Sequence, residues 1–463
     1  MVPSVASPVR MGTATGRWVV AAATLGSGMT LLDGTVVNVA LRTIGADLEA
    51  SLAQLQWINN GYLLTLASVI LLGGSLGDRF GRRRLFVIGV AWFALASLLC
   101  GLAPNAEILV VARLLQGVGG GLLTPGSLAM IQGAFVREER APAIGAWTGF
   151  GGIAAAIGPF LGGLLIGAGS WRLIFWVNLP IALLTLWLAQ RHVPESRSSH
   201  PSGRFDVAGA VLAALALGGV TYALVQGGGG ALVAGAVGVL SGILFVAVER
   251  RGREPMLPLD LFADRTFAAA NAMTLLMYAA LGAVLFFLVL QLQTVTGWSP
   301  LAAGMATLPL TICMLLLSRR TGRLAGTIGP RIPMTVGPLA MGCALLLLLS
   351  VDADTVYWTG VLPGITLFGL GLSCTVAPLT ATVLAAAPDR LAGTASGVNN
   401  AVARTGTLLA VAALPPAVGL SGQDYADPSA LAAAYPLAVA ACAALLGLGG
   451  LLSWLLVPHR IPQ

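Results

Sequence analysis

The chain has 463 residues, of which 57% are hydrophobic and only 9% are charged, and its mean hydropathy is +0.88. This composition excludes a soluble globular protein and indicates a protein with many membrane spans. The formal net charge is +7, and because all 25 basic residues are arginine, a retinal protein that needs a lysine Schiff base is excluded as well.

Residue types that build metal and haem sites are scarce. The three histidines, His192, His200 and His459, lie in polar segments, so neither a haem-binding bundle nor an intramembrane metal site is expected. The five cysteines stand singly in apolar stretches and are interpreted as packing residues rather than as a disulfide framework. In a membrane protein an excess of arginine reports orientation, so no nucleic-acid partner is expected either.

Taken in chain order, fourteen apolar stretches are long enough, at roughly 20 residues each, to cross a bilayer. Short turns rich in Gly, Pro and Arg separate them, and no cleavable signal peptide is expected before the first. The predicted spans are 18–41, 55–77, 85–103, 107–133, 142–168, 172–190, 206–226, 230–248, 266–292, 299–317, 332–350, 356–380, 394–418 and 431–457.

The placement of the arginines predicts the orientation. With the N-terminus in the cytoplasm, 21 of the 25 arginines fall on the inner side, whereas Arg42 and Arg172 fall outside and Arg113 and Arg404 lie within spans. This partition is what the positive-inside rule requires. The sequence therefore predicts a bacterial cytoplasmic membrane protein with both termini in the cytoplasm.

A weak internal repeat indicates the domain organisation. Sliding the chain by 248 positions places residues 322–331 on residues 74–83 with four identities, two of them glycines. The repeat pairs span 2 with span 10. It predicts two six-helix bundles, residues 1–191 and 266–463, separated by a linker, residues 192–265, that carries two inserted spans.

Two charges inside spans are the main candidates for chemistry. An aspartate within a span costs about 2.5 to 3.5 kcal/mol on insertion scales, so Asp33 in span 1 is expected to face the bundle interior. Helix rise places it roughly 12 Å from the outer end of its span and places Arg113 in span 4 roughly 9 Å from the same face. These depths allow an ion pair or a shared water-filled cavity. The alternative is a carboxylate that only bonds a neighbouring helix.

The connection between spans 2 and 3 is densely charged and has almost no spacer, reading GGSLGDRFGRRR. Glycines allow the two helix ends to approach closely, and the arginines hold the connection on the positive side of the membrane. The alternative interpretation is a cluster of arginines whose only role is to fix the orientation of the spans. Orientation alone requires neither the glycines nor the aspartate. The residues singled out here are Gly74, Asp78, Arg79, Gly81 and Arg82.

Span 5 carries a glycine-rich face with a proline in mid-span. Its run GPFLGG has a further glycine nine residues earlier. Ordinary close packing of helices through glycine is one interpretation. The residues that form the pattern are Gly149, Gly158, Pro159, Gly162 and Gly163.

Taken together, these motifs resemble those of the major facilitator superfamily, and with fourteen spans the chain is similar to the drug:proton antiporter family. The likeness runs the full length, with the specific motifs in residues 33–180. It implies an all-α fold of two six-helix bundles plus two inserted helices. It also implies proton coupling by Asp33 and Arg113, an inner gate at the connection between spans 2 and 3, and a rocking interface at Gly158 and Pro159.

Other residues are candidates for a substrate cavity between the bundles. Arg404 lies near mid-bilayer, roughly 16 Å from the inner face, where it either snorkels through water and pairs with backbone carbonyls or contacts substrate or Asp33. The second half has no Asp or Glu in its spans, which argues against a strong preference for dications. The candidate cavity residues are Asn38, Gln116, Trp147, Phe150, Asn399, Asn400 and Arg404.

The leading functional hypothesis is an antiporter that exchanges protons for an amphipathic or hydrophobic drug-like molecule. The alternative is an importer or facilitator of a nutrient or siderophore on the same fold. No nucleotide-binding loop is present, and an enzyme is not expected because the only dense charge cluster is the predicted gate. We expect no cofactor beyond the coupling proton, partners limited to the substrate and the bilayer, and a monomer.

Overall fold

The computed structural model describes residues 9–136, 139–196, 206–252, 255–388 and 391–459. In these residues the secondary structure is helical, apart from an isolated bridge between Val9 and Phe135. The all-α prediction is therefore confirmed.

The first half of the chain forms five long helices and one broken helix. Ser51 and Gln54 begin α2 with reciprocal side-chain to backbone hydrogen bonds of 3.3 and 2.9 Å. Predicted span 6 is interrupted at Val177, because Pro180 has no N–H for the preceding turn. The helices are α1 (Ala14–Asp47), α2 (Leu52–Phe80), α3 (Arg82–Leu102), α4 (Ala106–Ala134), α5 (Arg140–Gly167), α6 (Leu173–Trp176) and α7 (Asn178–His192).

The remaining helices are those of the inserted pair and the second half. Span 10 is also broken, at Thr307, because Pro309 lacks an N–H. The helices are α8 (Val207–Gln226), α9 (Gly228–Arg251), α10 (Arg265–Thr294), α11 (Pro300–Ala306), α12 (Leu308–Ile328), α13 (Arg331–Leu348), α14 (Leu362–Ala385), α15 (Ala392–Ala417) and α16 (Pro428–Leu456), with a π-helix at Tyr357–Val361 and 3-10 turns at Leu259–Ala263 and Asp424–Ala426.

Twelve spans, rather than the predicted fourteen, are long and apolar enough to cross a membrane among the described residues. Helix α5 is not among the twelve, because its apolar stretch within the described residues, Ile157–Gly167, is too short to cross a membrane. Helix α15 is outside the twelve. It carries Asn399, Asn400 and Arg404, which lower its hydropathy.

Helix packing produces two groups and a hairpin. In the first half, α4 packs on α2 and α3, and α1 packs on α5 and α7. In the second half, α10 packs on α15 and α16, and α14 packs on α12 and α13. Helices α8 and α9 form a close hairpin, in which a Cβ on Gly219 would lie 2.8 Å from the Cα of Gly238. Helix α8 contacts both α2 and α15, so the inserted pair lies against both halves along one side.

The predicted loop between spans 2 and 3 is much shorter than expected. Gly74, Asp78 and Arg79 lie within α2, Arg82 begins α3, and only Gly81 stands between the two helices. Its φ of 112° favours glycine and lets a single residue reverse the chain. Gly329 occupies the repeat-related position between α12 and α13 with φ of 84°. The repeat thus corresponds to the same turn in each half.

Among the described residues, the hydrogen bonds between the halves lie at one end of the bundle. We call the end where α1 and α3 begin the near face, and the end where α1 ends and α2 begins the far face. At the far face, Tyr425 Oη donates to Ala50 O at 2.9 Å, and Leu52 N donates to Gly422 O at 2.7 Å. Gln56 Nε2 donates to Val411 O at 2.7 Å. These bonds tie α2 and its preceding turn to the second half.

Candidate functional site

The centre of the first half holds a fully buried ion pair. Arg113 Nη1 of α4 contacts Asp33 Oδ2 of α1, and neither side chain is exposed to solvent. Both charges are desolvated, so each depends on the other and on nearby hydrogen bonds for its stability. The two intramembrane charges predicted to lie at similar depth are therefore in direct contact.

Three amide and hydroxyl side chains surround the carboxylate. Gln116 Nε2 donates to Asp33 Oδ1 at 2.9 Å and to Ser97 Oγ at 2.7 Å. Asn178 Nδ2 donates to the same Asp33 oxygen at 3.3 Å and to Ser97 Oγ at 3.1 Å. Helices α4 and α7 thus each place an amide on the acid of α1, and Ser97 of α3 accepts a hydrogen bond from both amides. These donors stabilise the ionised carboxylate.

The guanidinium of Arg113 is held from several directions. Its Nε donates to Ile58 O at 2.9 Å, and its Nη1 donates to Gln116 Oε1 at 2.6 Å. Its Cζ lies 4.4 Å from the ring centroid of Tyr62 and 5.7 Å from that of Phe175. Such ring contacts stabilise a desolvated cation. The Nη2 atom has no hydrogen-bond partner within the described part of the chain, so it is available to a different acceptor.

The turn between α2 and α3 is bound by an acid from beyond α7. Glu195 accepts hydrogen bonds from the backbone N–H groups of Arg83 at 3.1 Å and Arg84 at 3.2 Å. Its carboxylate also lies 3.8 Å from Arg83 Nε. An anion at the start of α3 is favoured by the free N–H groups and the dipole of that helix. The side chain of Asp78, the predicted acid of this gate, lies outside the described residues.

We expect Glu195→Gln to weaken this turn. The variant keeps the shape of the side chain but removes the charge that faces the start of α3, and the pair is partly exposed, so the loss should be about 0.5 to 1 kcal/mol. Melting of the purified protein in detergent at low and high salt measures it, because the difference from wild type should shrink as salt rises. Glu107→Gln, an exposed acid in the first turn of α4, is the matched control. A salt-independent difference would contradict the electrostatic interpretation.

The glycines of α5 lie at two helix contacts. A Cβ on Gly158 would lie 2.0 Å from Thr35 Oγ1, and one on Gly162 would lie 2.7 Å from Val36 Cγ2, both on α1. A Cβ on Gly163 would lie 2.4 Å from the Cα of Leu301 in the second half. The glycine face therefore allows α5 to pack closely against α1 and, at the far face, against α11.

Pro159 and Gly304 form the adjoining part of the same contact. A Cβ on Gly304 of α11 would lie 2.3 Å from Pro159 O. The predicted residue Gly149 lies in α5, but its surroundings are outside the described residues. The remaining four residues of the span 5 pattern thus all lie at or beside close backbone contacts.

The predicted cavity residues lie in several environments. Gln116 is buried at the ion pair, and Asn399 Nδ2 donates to Thr274 Oγ1 at 2.7 Å and to Asn271 Oδ1 at 3.2 Å inside the second half. Asn400 is exposed, and Arg404 is partly exposed.

The predicted cavity residues of the first half also lie in different environments. Trp147 Nε1 donates to Ser27 Oγ at 3.1 Å, and Asn38 is partly buried with no partner for its Oδ1 within the described residues. Phe150 is 55% exposed and lies at helical spacing from the exposed Ile153 and Ile157. A lipid-facing surface gives the same spacing, so its role in a cavity stays a prediction.

Three functional side chains were not predicted. Asn178 follows a tryptophan in the motif WVNLP and is the one strongly polar residue in the middle of its span, which is a usable signal. Glu195 lies close behind α7, but nothing in the sequence indicates its contact with Arg83. Ser97 has no signal, because a serine within a span commonly bonds its own helix.

Known proteins share this architecture. The model of the Major Facilitator Superfamily matches residues 23–411. The chain is 36% identical over 397 residues to the multidrug resistance protein Stp of Mycobacterium tuberculosis (strain CDC 1551 / Oshkosh), covering 84% of this chain and 73% of that protein. It is 36% identical over 451 residues to the puromycin resistance protein pur8 of Streptomyces alboniger, covering 93% and 89%. A bacterial homologue of the human lysosomal transporter Spinster, inward-facing and occupied, matches with TM-score 0.69 at 17% identity, covering 96% and 97%.

Proposed function

The chain belongs to the major facilitator superfamily, whose members are transporters and not enzymes, and from this premise we propose that it is a proton-coupled antiporter. Its cargo is an amphipathic or hydrophobic small molecule, exported across the cytoplasmic membrane. Relatives named for multidrug and puromycin resistance support export rather than uptake. The observation that carries the proposal is the buried pair of Asp33 and Arg113.

The orientation follows from the arginines. With the near face in the cytoplasm, Arg79, Arg82, Arg83 and Arg84 lie on the inner side, as the positive-inside rule requires. We further propose that α5 and α15 also cross the bilayer, which makes fourteen spans. Their 28 and 26 residues are long enough, and α5 packs along α1 while α15 packs along α10.

The hydrogen bonds between the halves support a state that is closed to the outside. The bonds from Tyr425, Leu52 and Gln56 lie at the far face, which is the outer face in this orientation. A substrate cavity between the halves would then open to the cytoplasm. Export requires these hydrogen bonds, and the close contact of Gly163 in α5 with Leu301 in α11, to separate while the near face closes.

Asp33 is the acid suited to carry the proton. It is the only Asp or Glu in the middle of a predicted span, since the others lie close to helix ends or in connections. Protonation removes the negative charge that Arg113, Gln116 and Asn178 stabilise, so it weakens the contacts between α1 and its neighbours. Inward proton movement supplies about 2.3 kcal/mol per charge per 100 mV, enough to bias a two-state cycle.

Inverted membrane vesicles test the proposal. Acidifying the vesicle interior places the higher proton concentration at the outer face, and a drug-like dye added outside should then accumulate within. A protonophore should abolish the accumulation, and vesicles without the protein give the background. Dye movement in the opposite direction would favour the importer or facilitator, and transport that is insensitive to the protonophore would overturn proton coupling.

A further inference from the structure

Arg404 is a further charge in the middle of a helix, besides Asp33 and Arg113, and it has no partner among the described residues. It lies in α15, is partly exposed, and makes no hydrogen bond or ion pair within the described part of the chain. An arginine keeps its charge in a protein. A charge at this depth must be paired or hydrated, and one left open toward a cavity marks a site for a ligand or a counter-ion.

The packing of α15 shows which way Arg404 faces. Gln56 of α2 bonds Val411 O at 2.7 Å, and a Cβ on Gly397 would lie 3.0 Å from Leu71 Cδ2 of α2. Residues 397, 404 and 411 are spaced by two helical turns and so share one face. Arg404 therefore lies on the side of α15 that meets the first half. It is in electrostatic range of Tyr62 in the first half and Tyr278 in the second.

Asn400 provides a neutral donor next to this charge. It lies one turn from Arg404 toward the near face and is exposed. Its Nδ2 donates to Ser396 O at 3.0 Å, which uses one of its two N–H groups. The adjacent Asn399 turns away and bonds Thr274. Arg404 and Asn400 thus present N–H groups on one face of α15.

The surrounding charges favour an anion at this position. Asp33 and Arg113 neutralise each other and are fully buried, so they present no net charge to the space between the halves. Helices α10 to α16 contain no Asp or Glu. The uncompensated charge is therefore positive. A planar guanidinium binds a carboxylate or a phenolate with charge-assisted hydrogen bonds, often two at once.

We propose that Arg404 and Asn400 form an anion-binding subsite of the substrate cavity, and that the exported molecules include amphipathic organic acids. The acidic group binds the guanidinium and the Asn400 amide, and the apolar body lies between the two halves. This inference rests on the proposed export function and names its substrate class. It also disfavours cations, because a like charge within the cavity repels them.

Binding of two xanthene dyes to the purified protein tests the subsite. Fluorescein is an organic anion and rhodamine 123 a cation on the same ring system, and fluorescence anisotropy gives both dissociation constants. We expect wild type to bind fluorescein more tightly, and R404Q to lose about tenfold to a hundredfold for fluorescein alone. R404K should lose less, Asn400→Leu should also weaken fluorescein, and Arg320→Gln, an exposed arginine of α12, should change nothing.

The outcomes separate the subsite from the transport function. Equal fluorescein affinity in wild type and R404Q, or no fluorescein binding by a wild type that binds rhodamine 123, would overturn the subsite. Proton-driven movement of either dye in vesicles would still support the antiporter. Conversely, the protein could bind fluorescein in a way that depends on Arg404 and yet transport neither dye. That result would support the subsite and contradict the antiporter proposal. The melting temperature of each variant checks folding, and R404K keeps the test valid if R404Q does not fold.

Discussion

Asp33→Asn is expected to reduce proton-driven export to the background of membranes without the protein. The amide keeps the shape of the side chain but cannot take up and release a proton near neutral pH. Exchange of labelled for unlabelled substrate, which needs no net proton movement, should continue if the variant still binds substrate. Comparing active export with exchange in the same vesicles therefore separates coupling from binding. Active export at the wild-type rate would remove Asp33 from the mechanism.

The same substitution should also destabilise the protein. It leaves the Arg113 charge buried without its counter-ion, and breaking a buried pair in this way costs about 3 to 5 kcal/mol. Asp47→Asn is the control, because Asp47 is paired with Arg172 at 2.8 Å but is 48% exposed. That pair should contribute about 1 kcal/mol or less. Equal losses in the two variants would contradict the role of burial.

A double-mutant cycle with Arg113→Gln isolates the pair. Removing both charges should cost less than the sum of the single losses, since neither charge remains unpaired. The double variant should stay incapable of active export, because no titrating group remains at the site. A double variant with restored export would show that the charges act only in folding.

The central pair illustrates how much the sequence determines. An acid and an arginine in the middle of spans each need a partner, and helix rise puts them at one depth, so their contact is predictable from Asp33 and Arg113 alone. The partners Gln116, Asn178 and Ser97 are not, because they depend on how each helix is rotated about its axis. Serines and amides within spans have too many local alternatives for the sequence to select one.

In the turn between α2 and α3, the sequence indicated the side of the membrane but not the secondary structure. The prediction placed a loop where charged and glycine residues are dense, but α2 continues to Phe80, and Gly81 alone reverses the chain. Arginines are strong helix formers and their charges reach water from a helix end as readily as from a loop. Composition therefore indicated the side of the membrane and not the secondary structure. The contact of Glu195 with Arg83 joins distant segments and has no local signal.

Gly163→Val is expected to hold the far face open. A Cβ at this position would lie 2.4 Å from the Cα of Leu301 and 2.9 Å from Pro300 O, and backbone atoms cannot move aside as a flexible side chain can. Overpacking of this kind costs about 1 to 3 kcal/mol, which would shift the equilibrium between the two states by about 5-fold to 150-fold. Export should fall because the cycle can no longer return readily to the state closed at the far face.

Labelling of a buried cysteine at the far face measures this shift. Ala50→Cys is a suitable reporter in a background without the five natural cysteines, because Ala50 is fully buried and only its backbone oxygen bonds Tyr425. A membrane-impermeant maleimide should label it faster in Gly163→Val than in the parent. Gly167→Val, one turn along α5 where a Cβ meets nothing within 4 Å, should leave both labelling and export unchanged. Slower labelling in Gly163→Val, or the same acceleration in Gly167→Val, would show that the contact between α5 and α11 does not control opening of the far face.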